Sequence, residues 1–159
     1  MTTVDGPSAD TIETTTVPAR TIAGLRARVA VADIEPFFGR AVPAVLAELS
    51  RIGVAAAGPL TAVYSHERGQ EFDLTVGFPV EGVLPSAAAL ILEELPAGPA
   101  VRTEHVGPYD NLPRTYAALS DWFAARHRTV PALMWEEYLV GPGAAAASGY
   151  RTRVTYPLG

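Results

Sequence analysis

The stretch Thr75-Val76-Gly77-Phe78-Pro79-Val80 is followed 78 positions later by a similar one, Arg153-Val154-Thr155-Tyr156-Pro157-Leu158. Each ends in an aromatic residue, a proline and an aliphatic residue, and proline cannot donate a hydrogen bond to a strand ladder. Both stretches therefore predict a strand that stops near its proline. The fixed spacing indicates that the chain consists of two related halves.

Two amphipathic helices are related by the same spacing. In each half, four apolar residues recur at positions i, i+4, i+7 and i+11, the stripe of a helix that buries one face. The stripes are Leu112, Tyr116, Leu119 and Phe123 in the second half, and Ile34, Phe38, Ala41 and Val45 in the first. These patterns predict a strand-helix-strand-strand unit in each half. The whole chain is therefore expected to have a duplicated α+β fold with antiparallel strands.

The predicted bounds correspond between the halves. The first half comprises a strand at Thr21–Val31, a helix at Ile34–Arg51 and strands at Leu60–Glu67 and Glu71–Val80, and the second comprises a strand at Ala100–Val106, a helix at Asn111–His127 and strands at Leu133–Val140 and Tyr150–Tyr156. Pro113 falls near a helix start, where its missing N–H costs nothing. Pro43 would lie inside the first helix, and we expect it to kink that helix or end its regular part.

The predicted domain organisation is one domain over residues 17–159, with repeats at about 20–80 and 99–159. Residues 1–16, rich in threonine, are interpreted as an N-terminal tail. The Pro- and Gly-rich segment 81–98 links the repeats and predicts either a loop-helix connection or an extra strand-like crossover. The alanine run at 144–147, between two glycines, is expected to be an exposed loop.

Composition excludes several classes of protein. The chain has 159 residues, a net charge of -5 and no cysteine, which removes disulfides and thiolate chemistry. No apolar stretch reaches the length of a membrane span, and the N-terminus lacks a signal-peptide pattern. No segment clusters its arginines, so direct nucleic-acid binding is not expected. These features predict a soluble, cytoplasmic protein.

The usual enzymatic signatures are missing from the sequence. There is no nucleophile elbow, zinc-protease helix or phosphate-binding glycine loop, so a hydrolase triad has no support. His66, His105 and His127 are far apart and lack partners at helical spacing, which favours ordinary surface or hydrogen-bonding histidines over metal ligands. We therefore predict neither a metal site nor a cofactor.

An acidic, aromatic strand, Leu133 to Val140, is the best candidate site. It is hydrophobic on both faces yet contains two adjacent carboxylates, Glu136 and Glu137, which alternation points to opposite sides. A buried carboxylate is costly unless it is paired. Glu137 is expected to pair with Arg151 or Arg153 on the neighbouring strand, and we interpret Glu136 as the functional residue.

A family resemblance supports this choice. It rests on a series of stretches that follow one another along the chain: His105-Val106-Gly107-Pro108-Tyr109-Asp110-Asn111-Leu112, Tyr116-Ala117-Ala118-Leu119, Trp122, Trp135-Glu136-Glu137-Tyr138-Leu139 and Thr155-Tyr156-Pro157-Leu158. With these stretches in this order, the chain resembles the GyrI-like small-molecule-binding domains, which also serve as effector domains of AraC-type and MerR-type bacterial multidrug regulators. The resemblance implies a duplicated fold with pseudo-twofold symmetry and a ligand cleft between the halves.

The resemblance also implies which residues line the cleft. In the family, a glutamate of the Glu-x-Tyr strand faces the ligand among aromatic side chains, which places Glu136 and Tyr138 in the site. A carboxylate ringed by aromatics favours flat lipophilic cations. The further aromatic candidates are Trp135, Tyr64, Tyr116, Phe38, Tyr109 and, less directly, Trp122. Packing in the core explains each of these alone equally well.

Three functions are compatible with such a site, and whether the chain is an enzyme stays open. The first is promiscuous sensing or sequestration of lipophilic aromatic molecules, preferably cations. The second is a hydrolase of cyclopropanoid DNA-alkylating compounds, with Glu136 activating water and Tyr116 or Tyr138 polarising a carbonyl. The third is an inhibitor that binds DNA gyrase. Because only a short tail precedes the domain, we expect no DNA-binding domain, and any protein partner is unknown.

Overall fold

A computed structural model of the chain describes residues 12–85 and 88–159. These residues form two compact units, which we call the N-terminal unit (residues 17–97) and the C-terminal unit (residues 12–16 and 98–159). In each unit a four-stranded sheet with antiparallel pairings carries one long helix. The predicted α+β class is therefore confirmed.

The secondary structure follows the order strand, strand, helix, strand, strand, twice. The elements are β1 (Glu13–Val17), β2 (Arg20–Ala30), α1 (Ile34–Ile52), β3 (Thr61–Arg68), β4 (Glu71–Val80), β5 (Ile91–Leu95), β6 (Gly98–Val106), α2 (Leu112–Ala125), β7 (Met134–Val140) and β8 (Arg151–Pro157). A short 3-10 turn precedes each long helix. Every predicted element is present, with bounds within about two residues of the prediction.

The predicted and the observed structure differ at the first strand of each repeat, β1 and β5. The starts of β1 and β5, at Glu13 and Ile91, are separated by the same 78 residues as the helix starts, Ile34 and Leu112. The prediction of a tail was wrong for residues 13–16, because this threonine-rich stretch is β-branched and suits a strand. The rest of that tail, residues 1–11, lies outside the described residues. In the linker, the strand-like alternative is the one observed, as β5.

The two leading strands complete sheets that belong mostly to the opposite repeat. In the N-terminal unit the strand order is β3-β4-β2-β5, and β5 pairs antiparallel with β2 from Arg20 opposite Leu95 to Gly24 opposite Ile91. In the C-terminal unit the order is β1-β6-β8-β7. Residues from both repeats are thus needed to build either sheet.

Helix α1 continues past Pro43 to Ile52, so the expectation that its regular part ends at the proline was wrong. A proline frees the carbonyl four residues earlier, which here belongs to Gly39. Both Pro43 and Gly39 are exposed, so water can bond the freed carbonyl.

Among the described residues, no helix combines the length and apolar character needed to cross a membrane.

The buried face of each helix lies one position away from part of the predicted stripe. The buried residues are Phe37, Ala41, Val45 and Leu49 in α1, and Thr115, Leu119 and Phe123 in α2. Phe38 and Tyr116, which the stripe assigned to the core, are only half-buried. Their rings therefore lie at the margin of the buried face, where Tyr116 reaches the sheet beside it.

Gly24 and Gly77 mark a close approach between β2 and β4. They lie directly opposite each other, and a Cβ on Gly77 would overlap the carbonyl oxygen of Ala23, while one on Gly24 would overlap that of Val76. These obstacles are backbone atoms, which cannot rotate away. The N-terminal sheet therefore requires glycine at both positions.

We expect Gly77→Ala to lower the free energy of unfolding by about 3 kcal/mol or more, because the added methyl group overlaps backbone. Gly39→Ala is the matched control: it lies in exposed helix with no heavy atom within 4 Å of the added Cβ. It should raise stability by about 0.5–1 kcal/mol. Urea denaturation followed by circular dichroism measures both, and equal effects would contradict the close approach.

Candidate functional site

Strand β7 presents its two carboxylates to different surroundings. Glu136 lies opposite Val154 and Glu137 opposite Arg153 on β8, so consecutive side chains alternate across the sheet. Glu136 and Tyr138 face α2, because the Tyr116 hydroxyl on that helix donates a hydrogen bond to Oε2 of Glu136. The predicted orientation of the pair is therefore confirmed.

The carboxyl group of Glu136 is enclosed by tyrosines. Its second oxygen, Oε1, accepts a hydrogen bond from the Tyr138 hydroxyl at 2.5 Å, and the residue is only 4% exposed. Burial raises the pKa of Glu136 to about 7, and the hydrogen bond from Tyr138 acts in the opposite direction. The site can therefore hold a proton or a negative charge near neutral pH.

Two further aromatic rings adjoin this group. The ring of Tyr109 lies 6.0 Å from that of Tyr138, edge to face, and 5.1 Å from that of Tyr150. Burial, followed by the neighbouring Tyr150 and Glu136, raises the pKa of Tyr109, which keeps its hydroxyl protonated. Sequence reasoning missed Tyr150, because it stands at the start of a predicted strand with no motif around it.

The opposite face of β7 carries an ion pair and a buried tryptophan. Glu137 pairs with Arg153, whose Nη1 lies 3.5 Å from its Oε1, which confirms one of the two predicted partners. The other, Arg151, bonds Glu104 instead. Trp135 shares this face and is 5% exposed, so the structure does not bring it together with Glu136.

The remaining aromatic candidates lie elsewhere. Phe38 and Tyr64 belong to the N-terminal unit, where the Tyr64 ring lies 5.2 Å from that of Phe72. Trp122 is on α2, covered by the guanidinium of Arg126 at 4.1 Å and in contact with Phe123. A ligand-binding role for these residues stays a prediction, as does the cleft between the halves.

The comparison with protein families decides the identity of the fold. A model of the GyrI-like small molecule binding domain matches residues 10–158, nearly the whole chain. The chain belongs to the GyrI-like family. No curated protein matches the sequence. This GyrI-like domain is therefore a small-molecule-binding domain by family, and the enclosed glutamate lies on the strand that carries the family resemblance.

Solved structures resemble the GyrI-like domain closely in fold and weakly in sequence. The EcmrR C-terminal domain aligns over 92% of this chain and 95% of its own, with 20% identity and a TM-score of 0.79. SAV2435, solved bound to tetraphenylphosphonium, covers 92% of each chain with 14% identity and a TM-score of 0.71. A hydrolase from Listeria innocua covers 92% of this chain and 90% of its own, with 15% identity and a TM-score of 0.61.

The two repeats of the GyrI-like domain differ at this site. Strand pairing makes Ala62, opposite Val76, the counterpart of Glu136, opposite Val154, since those valines are 78 residues apart. By the same register Tyr64 corresponds to Tyr138, and the helix starts make Phe38 the counterpart of Tyr116. The N-terminal unit thus lacks both the carboxylate and one of the hydroxyls that bond it. The polar site is specific to the C-terminal unit.

One buried hydroxyl on the same face of the C-terminal sheet is unpaired. Thr152 lies opposite Tyr138, is fully buried, and its Oγ1 has no hydrogen-bond partner among the described residues. An unpaired buried hydroxyl is costly, so this position adds to the free-energy cost of the polar groups in the C-terminal unit. Nothing in the sequence singles out Thr152, because threonine is an ordinary strand residue.

The cluster of Ser65, His66 and Asp73 on β3 and β4 does not have the geometry of a proton relay. Ser65, His66 and Asp73 adjoin one another, but Ser65 Oγ and Asp73 Oδ2 both approach the same nitrogen, Nδ1 of His66, at 3.0 and 3.2 Å. A proton relay needs the two ring nitrogens to serve different partners. Within residues 12–85 and 88–159, no group of three or more potential ligands is placed to hold a metal ion.

Proposed function

We propose that this GyrI-like domain binds lipophilic aromatic molecules, preferably cations, with Glu136 as the counter-ion. The observation that carries the proposal is a buried carboxyl group whose two oxygens are bonded by Tyr116 and Tyr138 and whose surroundings are aromatic. The similarity in fold to SAV2435, which was solved with tetraphenylphosphonium, supports it.

The electrostatics of the site favour a diffuse positive charge. A carboxylate and a cation 4 Å apart attract by about 4 kcal/mol at the effective dielectric of a protein site. A small, strongly hydrated cation would lose that gain in desolvation, whereas a cation surrounded by aromatic groups sheds little water. The rings of Tyr109, Tyr116 and Tyr138 can contact its charge and its apolar surface together.

Additional walls of the site are part of the same proposal. Trp135, Tyr64 and Phe38 remain candidates for contact with the apolar part of the ligand, as the family resemblance implies. They are proposed from the family resemblance, whereas Glu136 is proposed also from its hydrogen bonds with Tyr116 and Tyr138. Aromatic contacts without directional hydrogen bonds would make the domain promiscuous.

Glu136→Gln should weaken binding of tetraphenylphosphonium by about tenfold or more, because the charge is removed while the shape is kept. Binding of the neutral triphenylphosphine oxide should change by less than about threefold. Glu137→Gln, on the opposite face, is the matched control and should affect neither ligand. Isothermal titration calorimetry measures all three proteins, and equal losses for the two ligands would exclude the counter-ion role.

Cation affinity should also depend on pH. Because burial raises the pKa of Glu136 to about 7, the carboxyl group is largely neutral below that pH and charged above it. Affinity should therefore rise with pH by up to about tenfold per unit below 7 and level off above it. Glu136→Gln should flatten the profile. A profile that is flat in the parent protein would show that the charge of Glu136 does not contribute.

A second candidate function is hydrolysis of cyclopropanoid alkylating compounds. A carboxyl group that titrates near 7 suits a general base, and the adjacent tyrosine hydroxyls could polarise a carbonyl group. The fold similarity to a Listeria innocua hydrolase is consistent with it. In this reading Glu136 activates water, with Tyr116 or Tyr138 as the hydroxyl donor.

Mass spectrometry separates this function from simple binding. A hydrolase should convert a cyclopropanoid compound into its water adduct at a rate that scales with protein concentration. Glu136→Gln should lower that rate by about a hundredfold or more, as is typical for loss of a general base. Unchanged compound after prolonged incubation, together with retained cation binding, would identify the domain as a binder.

A further inference from the structure

His105 is fully buried on β6 and uses both ring nitrogens. Its Nε2 lies 2.9 Å from the carbonyl oxygen of Pro108, and its Nδ1 lies 2.9 Å from Oγ1 of Thr115. A carbonyl oxygen only accepts hydrogen bonds, so Nε2 carries a proton and donates it. In the tautomer with its proton on Nε2, Nδ1 accepts a hydrogen bond from the Thr115 hydroxyl. The ring connects two separate segments of the C-terminal unit.

Each of these segments carries a tyrosine of the candidate site. Pro108 immediately precedes Tyr109, and Thr115 immediately precedes Tyr116. The turn at Pro108 is held on its other side by the Gly107 N–H, which donates to the carbonyl oxygen of Tyr150 at 2.8 Å. The His105 ring thus sets the distance between the backbone that carries Tyr109 and the helix that carries Tyr116.

The N-terminal unit shows that the fold itself does not need this connection. Ala27 pairs with Leu74 as His105 pairs with Thr152, and these partners are 78 residues apart. By the same spacing Phe37 corresponds to Thr115. The N-terminal unit therefore forms the same strand and helix with an alanine and a buried phenylalanine, and without the hydrogen bonds.

The polar pair His105 and Thr115 is explained by the candidate site rather than by the fold. The unit with the His105 and Thr115 pair is also the unit with a carboxyl group between two tyrosine hydroxyls. The unit with Ala27 and Phe37 has Ala62 at the position of that carboxyl group. Polar buried pairs fix geometry more narrowly than apolar contacts, because hydrogen bonds depend on distance and angle.

We propose that His105 is a positioning residue: together with Thr115 it fixes the rings of Tyr109 and Tyr116 around Glu136. Neither His105 nor Thr115 touches the Glu136 carboxyl group in any described contact, so they act through the tyrosines. The importance of this for ligand affinity rests on the proposed function, whereas the positioning itself can be measured without ligand.

The test replaces the polar pair by the residues found in the N-terminal unit. The double variant His105→Ala/Thr115→Phe should keep its thermal midpoint within about 4 °C of the parent, because the same pair supports the other unit. The Glu136 carboxyl signal, identified by its loss in Glu136→Gln, is then titrated by carbon-13 NMR in the ligand-free protein. The titration midpoint should fall by about one pH unit or more from the parent value.

The direction of this shift follows from the cause of the raised pKa. Burial is the main reason that the pKa of Glu136 lies at about 7, so tyrosines that no longer cover the carboxyl group would admit water and lower it toward 4.5. Tyr109, Tyr116 and Tyr138, the titratable side chains described above around Glu136, all remain in the variant. Above about pH 8, where Glu136 is charged in the parent and in the variant, affinity for tetraphenylphosphonium should fall by about tenfold, because the tyrosines no longer hold their positions.

Thr115→Val provides a milder variant should the double variant fail to fold. It keeps the shape of the side chain and the His105 ring but removes the hydroxyl that bonds Nδ1. It should move the Glu136 midpoint in the same direction by a smaller amount, whereas Thr75→Val, in the N-terminal unit, should not move it. Reintroducing a donor with Thr115→Ser should restore most of the parent value.

Each result has a defined meaning. A stable double variant, or Thr115→Val, with the parent midpoint and parent affinity would overturn the positioning role. If the parent protein binds no cation but the Glu136 midpoint still shifts in the variants, the positioning role stands and the proposed function fails. If the parent binds the cation and the midpoint does not shift, only the positioning role fails.

Discussion

The burial of a single carboxyl group, that of Glu136, is the constraint around which the C-terminal unit is organised. An uncompensated buried charge costs several kcal/mol, and a strand that is apolar on both faces offers little to offset it. The compensation comes from two tyrosine hydroxyls, one on α2 and one on β7 itself. Tyr116 can reach the group because it lies at the margin of the buried face of α2 rather than in its centre.

Comparison of the two repeats separates what the fold needs from what the site needs. Both units have the same element order, but the positions of Glu136 and Tyr116 are occupied by Ala62 and Phe38 in the N-terminal unit. The residues that support the site differ in the same way, because Ala27 and Phe37 occupy the positions of His105 and Thr115. The apolar versions show that packing alone supports the scaffold. The buried polar residues of the C-terminal unit therefore cost stability that the fold does not require, and the proposed ligand binding can explain why they are there.

Much of this structure could be predicted from the sequence, because hydrophobic periodicity is a local signal and the 78-residue repeat can be recognised by comparing the chain with itself. They gave the helices, the main strands and the opposite orientation of Glu136 and Glu137. The strand β1 was missed because a short threonine-rich edge strand has no apolar alternation to reveal it. Tyr150, and the hydrogen bonds of His105, depend on distances between segments far apart in sequence, which no local pattern encodes.

The exchange of leading strands between the repeats has a consequence for how the chain folds. In the N-terminal unit Arg20 meets Leu95, and in the C-terminal unit Glu13 on β1 bonds Arg102 on β6, 89 residues later. Such non-local pairings slow folding, because a large loop must close before any contact is gained. During synthesis β1 therefore stays without its partner strand until β6 has left the ribosome, whereas the N-terminal unit, residues 17–97, has all of its strands once β5 has emerged.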